Sequence, residues 1–183
     1  MNAIFTRTSV RKFEDKPVEK EKIEKLLQAG FVAPSAGNQQ PWEFYVVTKR
    51  ETIDALAKTS PYAVSAAKAP VVLVIAARKD VIFPSITDID CAIATENLWL
   101  ELEELGLGGV MMAVSPVPER MEAVRQILNL PDNQYAFALL PFGYPVGKKP
   151  RSTATTPRRS TGSSKYILMK EGIVCLPPNA IYC

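Results

Sequence analysis

Apolar residues recur along much of the chain with the period of an α-helix. This spacing predicts a first helix over Val18–Val32, which Ala33-Pro34 ends because proline disfavours a helical residue before it. A long helix is predicted over Thr87–Gly106 and a further one over Pro118–Leu128. The first half of the long helix is apolar nearly all round, which indicates burial on more than one side, in a core or a subunit interface.

Two sites match the capping-box pattern, in which a threonine and an acidic residue three positions later satisfy free N–H groups at a helix start. Thr48-x-x-Glu51 predicts a helix directly after a strand. Thr87-x-x-Asp90 predicts the start of the long helix.

Four other segments have the length and apolar content of β-strands. One of them is apolar at every position, which predicts an interior strand covered on both faces. Because helices alternate with strands, the fold is α/β or α+β. The predicted strands are Glu43–Thr48, the interior strand Val71–Ala77, Val110–Val114 and Tyr135–Phe142.

Composition limits the chemistry that the chain can perform. None of the 183 residues is histidine, which excludes histidine acid–base catalysis and histidine-ligated metals. The three cysteines are far apart and have no metal-ligand spacing, so we expect no metal site and a reducing, cytoplasmic location. The longest apolar run is too short to span a bilayer, so we expect no membrane partner.

The sequence changes character at Lys148. Residues 148–165 are basic and rich in serine and threonine, and residues 166–183 are again apolar. We therefore divide the chain into a main domain, residues 1–147, and a connector with a C-terminal tail, residues 148–183, that packs on the same domain or on a partner subunit. The basic stretch leaves a nucleic-acid-binding module as an alternative function. It has no aromatic residue before Tyr166 on which bases could stack, so we expect no nucleic-acid partner.

A basic segment near the N-terminus is suited to a phosphate. Arg7, Ser9 and Arg11 occupy alternate positions, so their side chains point the same way if the backbone is extended. Two guanidinium groups and a hydroxyl on one side suit the charge of a terminal phosphate. The alternative is a basic end that is simply solvated.

The loop after the first helix carries three adjacent carboxamides, Asn38, Gln39 and Gln40. Carboxamides offer a donor and an acceptor together, which suits the edge of a flat heterocycle. The alternative is a polar turn that leads Trp42 into the core. Further along, Gly106-Leu107-Gly108-Gly109 follows a helix and precedes a strand, the reverse of the dinucleotide-binding order. It therefore predicts a helix C-cap followed by close backbone packing.

Together these segments resemble the nitroreductase family of FMN-dependent oxidoreductases over about residues 4–147. The resemblance implies an α+β fold. Its layers form an α/β sandwich, in which helices flank a central mixed or antiparallel sheet. It also implies a homodimer with flavin sites at the subunit interface. The motifs that carry it are Arg7-Thr-Ser-Val-Arg11-Lys-Phe13, Ala33-Pro-Ser-Ala-Gly-Asn38-x-Gln40-Pro-Trp-x-Phe44, the helix and glycines of Asp90–Gly109, and Phe142-Gly-Tyr-Pro145.

The resemblance also assigns residues to the FMN cofactor. The basic N-terminal segment is implied to hold the phosphate and reach the pyrimidine edge, and the carboxamide loop to cover the flavin from the partner subunit. The strand after the glycines is implied to lie along the flavin, and a basic pair near the C-terminus to contact the phosphate. The residues are Arg7, Thr8, Ser9 and Arg11; Pro34, Ser35, Ala36, Asn38 and Gln40; Met111, Met112, Ala113 and Val114; and Arg158 and Arg159.

The activity implied by the resemblance is hydride transfer from NADH or NADPH, through FMN, to a small organic acceptor. Acceptors in the family include nitroaromatics, quinones, enones and flavins. Chemistry at flavin N5 needs no histidine, because the cofactor is both hydride acceptor and hydride donor. Two alternatives stay open: a flavin store or redox sensor without turnover, and a family branch that fragments flavin or removes halogens.

Overall fold

The computed structural model describes residues 3–147, and within them five α-helices surround a five-stranded sheet. None of the helices in this part of the chain is long and apolar enough to cross a membrane. The helices are α1 (Ala3–Thr6), α2 (Lys20–Phe31), α3 (Arg50–Leu56), α4 (Thr87–Glu104) and α5 (Pro118–Leu128). The strands are β1 (Trp42–Val47), β2 (Val71–Arg78), β3 (Gly108–Gly109), β4 (Met112–Ala113) and β5 (Gln134–Gly143).

The sheet is built around β2 and β5. Its strand order is β1-β2-β5-β3, with β4 also paired to β5, and every strand pair is antiparallel. One parallel bridge, between Ser9 and Gly109, joins the N-terminal segment to the edge of the sheet. The predicted α+β fold with a central antiparallel sheet flanked by helices is therefore confirmed.

Two hydrophobic layers cover the two faces of the sheet, because alternate residues of a strand point to opposite faces. Leu73 and Ile75 of β2 pack in one layer with α2 and α4, whereas Val72 and Val74 pack in the other with α3 and α5. All of Val71–Ala77 is buried, so the prediction of an interior strand is confirmed.

Both helices begin where the capping-box patterns predict, shortly after β1 and at Thr87, but the side-chain caps that the patterns imply are absent at both sites. At α3 the N-cap is Lys49, so Thr48 lies one residue too early to cap, and no side chain caps the helix. At α4 the N-cap is Ile86, so Thr87 is already inside the helix. A threonine that lies one residue away from the N-cap position cannot cap the helix, since the capping oxygen must belong to the residue just before the first turn.

The glycines after α4 act as predicted. Gly106 has a φ of +73°, and the N–H of Leu107 donates to the carbonyl of Leu102 at 2.8 Å, as in a Schellman C-cap. A Cβ on Gly108 would lie 2.5 Å from Val10 Cγ2. The missing side chain therefore lets the N-terminal segment pack closely against β3.

The apolar first half of α4 is buried on only one side by the described residues. Cys91 and Ala94 are in the core, whereas Ile89 is 58% exposed and Ile93 is 38% exposed. Burial on more than one side is thus not found within residues 3–147, and the interface alternative stays a prediction.

Candidate active site

A groove of about 320 Å³ lies along residues 110–114, where β4 meets β5. Arg11 is among its lining residues, as are Met111, Met112, Ala113 and Val114. The structure therefore brings together two of the sequence-predicted groups, the end of the basic segment and the strand after the glycines. The sequence did not indicate four other lining residues: Thr59, Ser60 and Tyr62 from the loop after α3, and Arg120 from α5.

Backbone contacts fix the basic segment beside the groove. The N–H of Val10 donates to the carbonyl of Gly109 at 2.9 Å, next to the bridge at Ser9. Arg11 is exposed and makes no hydrogen bond or ion pair with any other residue in the range 3–147. Its guanidinium is therefore available to a ligand in the groove.

Arg7 lies against α4 instead of lining the groove. Its guanidinium carbon is 4.1 Å from the centre of the Trp99 ring, and its Nε is 3.6 Å from Oε1 of Glu96. Burial raises the pKa of the Glu96 carboxyl, and the nearby positive charge of Arg7 opposes that rise. The prediction that Arg7 and Arg11 share one direction assumed an extended chain. The N–H of Arg7, however, donates to the carbonyl of Ala3 and so continues the turn of α1.

Two successive residues of this segment each have a buried polar atom without a partner. Across residues 3–147, four buried side-chain nitrogen or oxygen atoms lack a hydrogen bond, and two of them are Arg7 Nη1 and Thr8 Oγ1. A buried polar group without a partner is costly, so such groups often mark a ligand site. A guanidinium N–H and a hydroxyl suit the oxygens of a phosphate or a pyrimidine edge, and the segment therefore fits FMN.

The carboxamide loop has an unusual but well-supported backbone. Asn38 and Gln40 both have positive φ, at 54° and 44°. The hydroxyl of Ser35 accepts the N–H of Gln40 at 2.9 Å, and Arg78 donates to the carbonyls of Gln39 and Gln40 at 3.1 and 3.0 Å. The side chains of Asn38 and Gln40 are exposed, as is Pro34, whereas Gln39 is buried.

Asp90 is the residue that anchors this loop, a role that the sequence reasoning missed. The side chain is 3% exposed, and its two oxygens accept the N–H of Ala36 at 3.0 Å and Nε2 of Gln39 at 2.6 Å. Oε1 of Gln39 in turn accepts the N–H of Phe83 at 2.8 Å. The start of α4 thereby holds the loop and the segment before the helix in one arrangement.

Removal of the Asp90 carboxylate is expected to destabilise the protein. Asp90→Ala leaves the buried Gln39 amide and the Ala36 N–H without an acceptor, at a cost of about 2–4 kcal/mol in the free energy of unfolding. Urea denaturation measures the change. Asp80→Ala, at an exposed position, is the matched control and should stay within about 0.5 kcal/mol of the parent. Equal stability of the Asp90 variant and the parent would show that the loop does not depend on this carboxylate.

The loop and the groove are separate within one chain, since no residue of 34–40 lines the groove. The structure thus brings Arg11 and residues 111–114 together and leaves Pro34, Ser35, Ala36, Asn38 and Gln40 elsewhere. Arg158 and Arg159 lie outside the described residues.

The chain is similar to known proteins over most of its length. A sequence model of the nitroreductase family matches residues 4–67 and 59–144. A protein of Methanothermobacter thermautotrophicus, named provisionally as an NADH dehydrogenase/NAD(P)H nitroreductase, is 36% identical over 147 residues, which cover 80% of this chain and 77% of that protein. A protein of Archaeoglobus fulgidus with the same name is 37% identical over 151 residues, which cover 81% and 87% of the two chains.

Solved structures give the same result. A protein of Clostridium acetobutylicum, named provisionally as an NADH oxidase, has a TM-score of 0.82 and 39% identity, with 90% of this chain and 99% of that chain covered. An FMN-dependent nitroreductase of Clostridium difficile has a TM-score of 0.79 and 26% identity over the same shares of the two chains. With its fold and most of its length matched, the chain belongs to the nitroreductase family.

Proposed function

We propose that the protein binds FMN and transfers hydride from NADH or NADPH to a small organic acceptor. The observation that carries the proposal is the pair of buried, unpartnered atoms Arg7 Nη1 and Thr8 Oγ1, in the same segment as the free guanidinium of Arg11. Names of similar proteins support it: the Clostridium difficile neighbour is called FMN-dependent, and a Vibrio harveyi relative is called an NADPH-flavin oxidoreductase. A cytoplasmic location stays a prediction from the cysteine content.

The residues of this chain would bind and orient the cofactor. When bound, FMN would supply a group that accepts a hydride from the nicotinamide and donates it to the acceptor. Arg11 would bind phosphate oxygens, and Arg7 and Thr8 would donate to oxygen atoms at the edge of the ring system. The backbone and apolar side chains of residues 111–114 would form one wall of the site and exclude water from it.

We also propose that the active unit is a homodimer in which the carboxamide loop of each subunit covers the groove of the other. Within one chain that loop does not line the groove, so a second copy is needed to bring the two together. Large apolar side chains are exposed on helices that contact one another, which favours burial against a second copy. They are Ile4 and Phe5 of α1, Phe31 at the end of α2, and Ile89 and Ile93 of α4.

Separate measurement of the two half-reactions tests the proposed activity. FMN-loaded protein, mixed with NADH or NADPH without oxygen, should lose its visible flavin absorbance. Addition of a quinone, a nitroaromatic compound or free flavin should then restore it and give steady turnover. A flavin store or sensor would keep its colour with both nucleotides or give no turnover with any acceptor, and either result would contradict the proposal.

A further inference from the structure

One of the residues that line the groove is an arginine with an unusual set of contacts, Arg120. Nη1 of Arg120 donates a long hydrogen bond, 3.4 Å, to the carbonyl of Ala113, which also lines the groove. The guanidinium carbon lies 5.5 Å from the centre of the Tyr62 ring. Tyr62 is itself 75% exposed and also lines the groove. The two side chains form a pair, which we call the Arg120–Tyr62 pair.

Helix stability does not explain this arginine. Arg120 is in the first turn of α5, where the positive end of the helix dipole disfavours a cation. It has no carboxylate within ion-pair distance among residues 3–147, whereas Arg125 of the same helix pairs with Glu122 at 2.8 Å and with Asp132 at 3.6 Å. An anion in the groove would relieve the unfavourable position of Arg120.

The charge of the groove has a single sign. Its charged lining residues are Arg11 and Arg120, and no carboxylate is among the described residues that line it. Under the proposed function, Arg11 serves the phosphate of FMN. The charge of Arg120 is then left for a second anionic group in the groove.

We propose that the Arg120–Tyr62 pair binds a substrate that joins a flat ring to an anionic group, with the ring against Tyr62 and the anion at Arg120. This inference rests on the proposed function, because it assigns the phosphate of FMN to Arg11. A guanidinium binds a carboxylate or a phosphate through two parallel hydrogen bonds, and an exposed tyrosine ring offers a face for stacking. Two kinds of ligand combine a flat ring with an anionic group: a hydride acceptor that carries a carboxylate, and the dinucleotide hydride donor with its phosphates.

Binding to the FMN-loaded protein tests the inference with a pair of probes that differ in charge. Affinities for 4-nitrobenzoate and for neutral 4-nitrobenzamide are measured by calorimetry, and NAD⁺ is the unreactive probe for the dinucleotide. Arg120→Gln is expected to lower the affinity ratio of benzoate to benzamide about tenfold, or to weaken NAD⁺ binding about tenfold, and the affected probe identifies the source. Arg125→Gln, on the same helix but outside the groove, is the control and should leave all three affinities as they are.

Tyr62→Ala checks the ring contact. It should weaken both nitroaromatic probes by similar factors, because it removes the stacking surface and keeps the charge. If Arg120→Gln changes neither the ratio of the 4-nitrobenzoate and 4-nitrobenzamide affinities nor the affinity for NAD⁺, the inference is overturned. A tenfold loss of FMN affinity without either change would also overturn it, since Arg120 would then belong to the cofactor's phosphate site. Failure of the proposed function is a different result, namely absence of turnover while probe binding still depends on Arg120.

Discussion

Replacement of Arg11 by alanine is expected to weaken FMN binding about tenfold or more. The guanidinium is exposed at the groove and has no partner among residues 3–147, so the cofactor phosphate would be its main interaction. A charge-assisted hydrogen bond contributes roughly 1.5–3 kcal/mol, which is a factor of ten or more in affinity. Arg7→Ala should have a comparable effect, and the double variant should lose about a hundredfold if the two contacts are independent.

Fluorescence titration with FMN measures these affinities, and the rise in melting temperature on addition of FMN gives a second readout. The stabilisation by FMN should shrink in both variants. Arg125→Ala is the matched control, because its guanidinium pairs with Glu122 and Asp132 away from the groove. If both single variants hold FMN as tightly as the parent does, the assignment of Arg11 and Arg7 to FMN is wrong.

Mixed dimers of two inactive variants are expected to regain part of the activity. One variant carries Arg7→Ala and Arg11→Ala, and the other carries a damaging substitution at Asn38. If the loop of one chain covers the groove of the other, a mixed dimer has one site with both defects and one site with none. The intact site should then restore activity in part.

Co-expression of the two variants with different affinity tags allows the mixed dimers to be isolated. Turnover of NAD(P)H is then measured for the mixed dimers and for each variant alone. If both segments served the same site from one chain, every site of the mixed dimer would carry one defect. No recovery in dimers that are shown to be mixed would exclude the shared site and leave the FMN assignment in place.

Most of the sheet and helices could be predicted from the sequence because their signals are local. The interior strand β2 is apolar at nearly every position, and α5 has the bounds Pro118–Leu128 that its spacing and its proline predict. The side-chain caps at the helix starts were less predictable. At α3 and α4 a shift of one residue moves the threonine away from the N-cap position, and the short pattern does not show that shift.

Only some of the residues that line the groove could be predicted from the sequence. Arg11 belongs to a motif that resembles the family, and residues 111–114 directly follow another such motif, so the sequence indicates both. Asp90 and Gln39 are 51 positions apart, and Tyr62 and Arg120 are also far apart along the chain. Such pairs form only when the sheet and helices pack together.

The flavin content of the purified protein is the most direct test of FMN binding. The purified protein is incubated with FMN and freed of unbound flavin, and the absorbance spectrum and the mass of the released ligand are recorded. We expect a yellow protein that retains up to one FMN per chain, with much less flavin retained by the variant that lacks both Arg7 and Arg11. A protein that stays colourless after incubation with FMN would contradict the account.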